Sequence, residues 1–383
     1  MFVPTYQGLS ARDFFRPVAS RGECFPFNAP HVRFYRARNA IYHVFAALHA
    51  GRRNLTVLAP DYYSGNEVLA MRAAGATIRY CPVDREMRLD PDHVDRLCAR
   101  DNPDVLYVIH YLGWPQPMPA LVDVCRRRGM LLFEDCALAL LSEVDGQPLG
   151  SFGDWSVFCL YKTLPVPNGA VLVQNTSRLP SLYQLPLRQV ESASVLGRAA
   201  ELFVQRARSR ADRVGAALSA VKRGLGRAAG AMDVHRTPIG DMGFEIADVD
   251  LAMSRLSERV LGRLDFTEIR RRRLANFRQL ARALRGHMSR VLPDPDDGVC
   301  PLFFPVFVPD KHAAATALQQ QGVDALEFWN DGLVPDGGDM SPDARFLREH
   351  VLELPIHQDL TATHIEYIAR QVSALSLDLR MAA

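Results

Sequence analysis

A lysine and an aspartate each follow an apolar segment that is typical of a buried strand. Lys162 comes just after such a run at Trp155 to Leu160. A proline-rich turn comes next, so no helix is expected to follow. Asp135 comes in the same way after Met130 to Phe133. Both side chains are therefore expected at strand ends.

This pair of residue types has a known use in enzymes that contain pyridoxal 5'-phosphate (PLP). A lysine amine can bond covalently to the aldehyde of the cofactor. A carboxylate can keep the pyridine nitrogen protonated, so that the ring accepts electrons. Lys162 and Asp135 are thus the candidate catalytic residues, and the sequence predicts a PLP site between them.

Strand-like and helical patterns alternate ahead of these residues. Helical spacing covers Ile41 to Leu48 and Leu121 to Arg128, while strands are predicted at Leu55 to Leu58 and Val105 to Ile109. This alternation predicts an α/β fold with a mostly parallel sheet covered by helices on both faces. Ligands bind at the carboxyl ends of the strands in such sheets, where His110 is expected beside the lysine and the aspartate.

Composition and charge exclude several classes of protein. The 383 residues include 45 basic and 43 acidic side chains, so the net charge of +2 gives no indication of nucleic acid binding. Seven cysteines form no CxxC pair, which favours reduced thiols and a cytoplasmic protein. The eleven histidines form no cluster with the spacing of metal ligands. No GxGxxG follows the first strand, so a dinucleotide site is disfavoured.

The chain divides into four regions by composition and pattern. Between Arg188 and Arg236 ten basic residues stand against four acidic ones, with apolar residues at helical spacing. This basic insert is either a solvated helix on its own domain or, through residues 196–227, a contact for an anionic membrane or a phosphorylated ligand. The predicted regions are an N-terminal arm (1–30), a large PLP-binding domain (31–187), the basic amphipathic helical insert (188–236) and a small C-terminal α+β domain (237–383).

Several short motifs occur in the order that one family shows. They are Pro60 followed by aromatics, Gly75-Ala76-Thr77, Val83-Asp84, His110 with Gly113, Glu134-Asp135-Cys136-Ala137, Gly150-Ser151-Phe152-Gly153-Asp154, Lys162, Gly169 and Leu354-Pro355-Ile356-His357. From about Val32 to Leu375 the chain resembles fold type I PLP enzymes, specifically the DegT/StrS-type aminotransferases that act on nucleotide-linked keto sugars. The resemblance implies a homodimer that moves an amino group from an amino acid, glutamate first, to a keto sugar nucleotide or similar small keto metabolite.

The resemblance also implies roles for single residues. Lys162 matches the lysine that carries the cofactor and moves the proton, and Asp135 matches the partner of the pyridinium nitrogen. Ala37, Arg38 and Asn39 match the helix start that holds the phosphate, where Arg38 replaces a hydroxyl and could pair with the phosphate directly.

Four positions depart from the pattern of the family. The ring-stacking position aligns with Ser64, which leaves Tyr62 or Tyr63 to stack on the cofactor. A phosphate-binding serine aligns with Cys159, and a polar residue after the aspartate becomes Leu138. The Asn-Tyr-Arg-Met motif of the family appears as Gly243-Phe244-Glu245-Ile246.

Two other functions stay open at this stage. One is a non-catalytic or regulatory PLP-binding protein, which the altered phosphate contacts favour. The other is PLP-dependent elimination or dehydration, which usually accompanies loss of the lysine and is disfavoured by Lys162.

Overall fold

The computed structural model of the protein describes residues 1–17, 24–51, 54–176, 179–210, 242–327, 329 and 340–375. The strands within these ranges are β1 (His31–Phe34), β2 (Leu55–Pro60), β3 (Ala76–Cys81), β4 (Val105–Ile109), β5 (Leu131–Asp135), β6 (Glu143–Val144), β7 (Gln147–Pro148), β8 (Trp155–Cys159), β9 (Ala170–Gln174), β10 (Arg188–Gln189), β11 (Leu251–Ala252), β12 (Phe303–Phe307) and β13 (Val351–Pro355).

The helices alternate with these strands over the first half of the chain. The α-helices are α1 (Arg12–Phe15), α2 (Ala37–Ala50), α3 (Asn66–Ala73), α4 (Pro91–Asp101), α5 (Met118–Arg128), α6 (Leu160–Thr163), α7 (Ser192–Arg210), α8 (Arg255–Leu261), α9 (Phe266–Ala283), α10 (Lys311–Gln320), α11 (Pro342–His350) and α12 (Ala362–Ser373), and short 3-10 helices cover Pro180–Gln184 and Ile246–Asp248.

The large sheet has nine strands in the order β10-β11-β1-β9-β8-β5-β4-β2-β3. The five strands from β8 to β3 are parallel to one another, and β9 runs antiparallel between β8 and β1. Every residue of β4, β5 and β8 is buried, as expected for strands that helices cover on both faces. The predicted α/β class with a mostly parallel sheet is confirmed.

The register of this sheet brings the predicted site together. Asp135 pairs with Ile109 of β4 on one side and with Val157 of β8 on the other. Since these strands are parallel, their carboxyl ends meet at one edge. Lys162 lies beyond the end of β8 on the single turn of α6, which ends before Pro165. The chain continues from the proline-rich turn into β9 without a helix, as expected.

A small antiparallel pair, β12 and β13, lies with helices α9 to α12 in the C-terminal part of the chain. The two-residue strand β11 joins the large sheet, although residues 237–383 are predicted to form a separate domain. Such a short strand has no recognisable sequence pattern. The four-region division stays a prediction, and residues 211–236 of the basic insert lie outside the described residues.

The N-terminal arm makes backbone hydrogen bonds to distant parts of its own chain. The Val3 amide donates to the Gly322 carbonyl at 2.8 Å, and the Asp324 amide donates to the Val3 carbonyl at 2.9 Å. Helix α7 lies along the arm, because the Leu9 amide donates to the Leu202 carbonyl at 3.2 Å.

Two of the described arginines of α7 contact other parts of the chain rather than extending freely into solvent. Arg206 pairs with Asp359, and the Arg208 guanidinium lies 3.9 Å from the centre of the Phe2 ring. These side chains cover the arm and the C-terminal unit because α7 packs against both.

Candidate active site

A cavity of about 650 Å³ lies at the carboxyl ends of β4, β5 and β8. We define the inner wall of the cavity as the part formed by these strand ends, by α6 and by the starts of α2 and α3. Its outer wall comes from Thr5 and Tyr6 of the arm, Arg198 of α7, Met242, Gln319 and residues of the 324–329 segment. Lys162 and Asp135 both line the inner wall, as predicted.

Asp135 is held in place by two hydrogen bonds. The Tyr107 hydroxyl donates to Oδ2 at 2.6 Å, and the Ala137 amide donates to Oδ1 at 2.8 Å. Burial, together with the charge of Glu67, raises the pKa of Asp135 to about 6, although both hydrogen bonds and the charge of Lys162 act against the rise. A cationic group near this carboxylate would stabilise its charged form.

Lys162 occupies a position that the backbone fixes closely. The amide of Leu160 donates to the carbonyl of Gly169 at 2.9 Å, which ties α6 to the start of β9. Gly169 has φ +136°, and a side chain there would meet Met253 and Leu160 at 3.0 to 3.3 Å. Position 169 therefore requires glycine. The hydrogen bond from Leu160 to Gly169 in turn fixes the turn that carries Lys162.

Glu134, beside the aspartate, supports the inner wall from behind. Its carboxylate accepts hydrogen bonds from the amides of Gly150, Phe152 and Gly153 at 2.9, 2.8 and 2.6 Å. It also lies 3.0 Å from Nε2 of His110, whose Nδ1 accepts from the Gln116 amide. His110 thus joins Glu134 to the Gln116 amide and is part of this support.

Three side chains of types that bind metals lie together behind the inner wall. The ligand atoms of His110, Glu134 and Cys136 are within 4.8 Å of one another. However, the Glu134 oxygens are already occupied by backbone amides and the imidazole. Burial also raises the pKa of Cys136, which favours the neutral thiol. We interpret the cluster as structural.

The start of α2 supplies the features that a phosphate group needs. Ala37 and Arg38 line the cavity, and Arg36 at the N-cap makes no side-chain hydrogen bond to the helix. The first amides of α2 are therefore left without a side-chain cap, which favours an anion. Arg38 donates from Nη1 to the Gly243 carbonyl, so its guanidinium is partly engaged. Together with the lysine and the aspartate, this arrangement fits PLP.

Cys159 lines the same part of the cavity, at the N-cap of α6. A hydrogen bond joins it to the hydroxyl of Tyr161. Burial raises the pKa of Cys159 against the charge of Lys162, so the side chain is a neutral thiol.

Three predicted cofactor-binding residues do not line this cavity. Asn39 is buried and donates to the Asp248 carbonyl at 2.7 Å. Tyr62 packs against Trp329, with ring centres 4.6 Å apart, and Tyr63 stacks on Tyr80 at 5.4 Å. Ser64, which aligns with the ring-stacking position of the family, does line the cavity. The roles of Asn39, Tyr62 and Tyr63 stay predictions.

Four contributors to the site were not predicted: Tyr107, Glu67, Tyr6 and Arg198. Glu67 had a visible signal, because Ser64 and Glu67 have the spacing of a capping box. The Ser64 amide and hydroxyl donate to Glu67 at 2.7 and 2.5 Å. The only signal for Tyr107 was the presence of a side-chain hydroxyl within an otherwise apolar strand. No sequence pattern placed Tyr6 or Arg198 at the cavity.

Known proteins share sequence with the part of the chain that forms the inner wall. Residues 37–184 match the model of the DegT/DnrJ/EryC1/StrS aminotransferase family. The chain is 34% identical over 132 residues to dTDP-4-dehydro-2,3,6-trideoxy-D-glucose 4-aminotransferase of Saccharopolyspora spinosa, covering 30% of this chain and 34% of the relative. It is 26% identical over 171 residues to GDP-perosamine synthase of Vibrio cholerae, covering 42% of this chain and 46% of the relative. The chain thus aligns with less than half the length of these relatives.

Solved structures share the fold over nearly the whole chain. Helicobacter pylori PseC, an aminotransferase involved in the biosynthesis of pseudoaminic acid, superposes with a TM-score of 0.68 and 13% identity, covering 97% of this chain and 98% of that one. The predicted fold is confirmed, and the predicted resemblance to the family is confirmed over residues 37–184.

Two further observations concern the chain as a whole. All seven cysteines lie within the described residues and are free, and six of them are buried. Across the described ranges, no helix combines the length and the apolar character that a membrane span requires.

Proposed function

We propose that this chain, whose residues 37–184 match the model of the DegT/DnrJ/EryC1/StrS aminotransferase family, is a PLP-dependent aminotransferase. The observation that carries the proposal is the position of Lys162 and Asp135 on adjacent parallel strand ends of one cavity, beside the uncapped start of α2. The acceptor would be a keto sugar nucleotide or a similar small keto metabolite. The names of the two sugar-nucleotide relatives support this class of substrate.

The residues of the chain would divide the work as follows. PLP, when bound, supplies an electrophilic carbon and a ring that accepts electrons. Asp135 holds a proton at the pyridine nitrogen, and the hydrogen bonds from Tyr107 and Ala137 orient its carboxylate. The start of α2 and Arg38 hold the phosphate. Cys159 borders the same region with a neutral thiol in place of a hydroxyl.

Lys162 would both attach the cofactor and move the proton. Its side chain is the single lysine among the described residues that line the cavity. The Lys162 amine would hold the cofactor and, after a substrate amine has taken its place, would be the group positioned to take a proton from the substrate carbon and to give it back. The outcome is transfer of an amino group, with glutamate as the proposed donor.

We also propose a cytoplasmic homodimer. Large apolar side chains are exposed on the single chain, among them Phe15 (82%), Leu196 (63%) and Ile246 (60%). A second copy that covers them would remove this apolar area from water. Sedimentation tests the dimer, and a fully active monomer would contradict it.

The decisive experiment adds amino acids to the purified protein loaded with PLP. L-glutamate should change the visible absorption of the bound cofactor and release 2-oxoglutarate, and a keto sugar nucleotide should restore the first spectrum. L-glutamine and L-alanine serve as alternative donors. If PLP is bound and no amino acid changes the spectrum, the aminotransferase proposal is wrong and the non-catalytic alternative replaces it.

A further inference from the structure

A second cleft, of about 390 Å³, lies where helix α9 ends in the C-terminal part of the chain. The charged residues that line it are Arg278, Arg282, Arg285, Arg290 and Asp294. We call it the arginine cleft. Among the described residues, it shares none with the cavity that Lys162 lines. Four cations and one carboxylate therefore line a cleft to which the proposed chemistry assigns no role.

The backbone brings these arginines together from two segments. Arg278 and Arg282 are one helical turn apart on α9, so they lie on the same face. Arg285 follows in the next turn, where its amide donates to the Arg282 carbonyl at 3.4 Å. Arg290 approaches from the other side, because it forms a β-bridge with Val306 of β12. The end of α9 and the segment paired with β12 thus form two walls of the arginine cleft.

Two of the four arginines have carboxylate partners. Arg290 pairs with Asp294, and Nη2 of Arg278 lies 2.7 Å from an oxygen of Asp297. The Asp297 side chain is 89% exposed, so the second pair is weak. The pKa of Asp294 is lowered by the hydrogen bond and the charge of Arg290, and also by the charges of Arg285 and Arg278. Three cations therefore act on one carboxylate inside the cleft.

The remaining cations of the cleft are unbalanced. Within the described ranges, the side chains of Arg282 and Arg285 make no hydrogen bond and no ion pair. The first turns of α9 differ, because Arg271 and Arg272 both pair with Glu268 at 2.6 Å. Like charges three or four residues apart destabilise a helix, so an anion between them would relieve their repulsion. The excess of positive charge is concentrated at the cleft.

We propose that the arginine cleft binds a phosphate group that carries two or more negative charges. Planar guanidinium groups pair with phosphate oxygens two at a time and stay charged at any physiological pH. The unpaired cations lie at one end of α9, which favours a compact anion over an extended polymer such as nucleic acid. A free phosphate compound and a lipid headgroup both present this chemistry, and the experiment below separates them. The inference does not rest on the proposed function.

Asp294 gives the proposal an effect of opposite sign. Its carboxylate lines the cleft and would repel a bound phosphate, although its pairing with Arg290 also holds that guanidinium in place. Asparagine has nearly the same shape and carries no charge. Asp294→Asn should therefore tighten the binding of an anion, whereas loss of the arginines should weaken it.

Calorimetry with inorganic pyrophosphate, on the protein loaded with PLP, measures these effects. The double variant R282Q/R285Q should raise Kd about tenfold or more, because two charge-assisted contacts are lost. R282K/R285K should fall between this variant and the unaltered protein, since lysine keeps the charge without the planar donors. D294N should lower Kd about threefold or more. Arg282 and Arg285 are exposed, so these proteins should fold normally.

The matched control is the double variant R255Q/R259Q. Arg255 and Arg259 are exposed, lie four residues apart on α8 and line neither the arginine cleft nor the cavity. The control removes the same total charge from the protein. Its Kd for pyrophosphate should therefore change by less than about twofold, which separates a local site from a general effect of net charge.

Co-sedimentation with vesicles identifies the source of the phosphate. The vesicles contain phosphatidylcholine and phosphatidic acid, whose headgroup is a phosphate monoester. Sedimentation that R282Q/R285Q abolishes and pyrophosphate competes away would identify a lipid headgroup. Pyrophosphate binding without sedimentation would identify a free phosphate compound. The proposal is overturned if pyrophosphate does not bind, if R282Q/R285Q binds it as well as R255Q/R259Q does, or if D294N weakens binding.

Discussion

The inner and outer walls of the cavity are built in different ways. The inner wall comes from strand ends and helix starts within residues 37–184, the part of the chain that matches the family. The outer wall joins an N-terminal arm, a helix from the basic insert and residues near position 325. A rigid sheet therefore positions the reacting groups, while segments remote in sequence enclose the substrate.

The contacts that support the walls differ in the same way. Behind the inner wall, the buried carboxylate of Glu134 accepts hydrogen bonds from three backbone amides. In the outer wall, the stacking of Phe14 on Phe203 at 6.0 Å joins the arm to α7, and Phe203 is 38% exposed. Substitutions behind the inner wall should stop the reaction or unfold the protein, whereas those in the outer wall should change substrate binding.

The largest effect is expected at Lys162. Lys162→Ala should lower kcat by about 10³-fold or more, because both the attachment point and the proton carrier are lost. Borohydride reduction of the PLP-loaded protein, followed by peptide mass analysis, should place the cofactor on the peptide that contains Lys162. Labelling of a peptide with Lys311 or Lys222 instead would remove Lys162 from its role.

Removal of the Glu134 side chain tests the support behind the inner wall. Glu134→Ala should lower the free energy of unfolding by about 3–5 kcal/mol, because three backbone amides, two of them in fully buried hydrogen bonds, lose their acceptor. Glu143→Ala is the matched control, since Glu143 is a partly exposed partner of Arg270. The control should cost less than about 1 kcal/mol in urea unfolding. Equal losses would mean that the Glu134 network does not stabilise the fold.

Asp135 gives a dependence on pH with a definite sign. Its pKa in the folded protein is raised from 3.8 to about 6, so the folded state binds this proton more tightly than the unfolded state does. The ionised carboxylate thus destabilises the cofactor-free protein above pH 6, and this cost disappears as the pH falls towards 4. Asp135→Asn should therefore stabilise the cofactor-free protein on the order of 2–3 kcal/mol at pH 8 and hardly at pH 4.

The same substitution should have the opposite effect on function. Asp135→Asn should keep PLP binding but lower kcat by about 10²-fold or more, since the protonated pyridine nitrogen is no longer favoured. Urea unfolding of both proteins across this pH range measures the first effect, and turnover measures the second. Parallel stability curves for the two proteins would refute the raised pKa.

The sequence predicted the inner wall well because its signals are local. Apolar runs mark β5 and β8, and parallel strands necessarily bring their carboxyl ends, and thus Asp135 and Lys162, to one edge. Tyr107 was missed because its contact with Asp135 depends on the register between β4 and β5, which is set by the packed sheet.

The sequence did not predict which side chains of a segment face the cavity and which face the core. Tyr62 and Tyr63 follow β2 as expected, but tertiary packing turns both rings into the core, so that Ser64 lines the cavity. Arg198 shows the same problem in α7. Helical spacing identifies the apolar face of α7. It does not reveal that Arg198, on the basic face, lines the cavity beside residues of the arm.

The smallest expected effect concerns the contact that joins the arm to α7. Phe203→Ala should remove the stacking with Phe14 and cost about 1 kcal/mol of stability, because Phe203 is only partly buried. The looser arm should raise KM for the sugar nucleotide a few-fold, since Tyr6 and Arg198 are then held less firmly. Arg210→Ala on the same helix is the control, because Arg210 is exposed, borders a different cleft and should change neither quantity. If Phe203→Ala lowers kcat without changing KM, the arm and α7 belong functionally with the inner wall, and the division between the two walls does not hold.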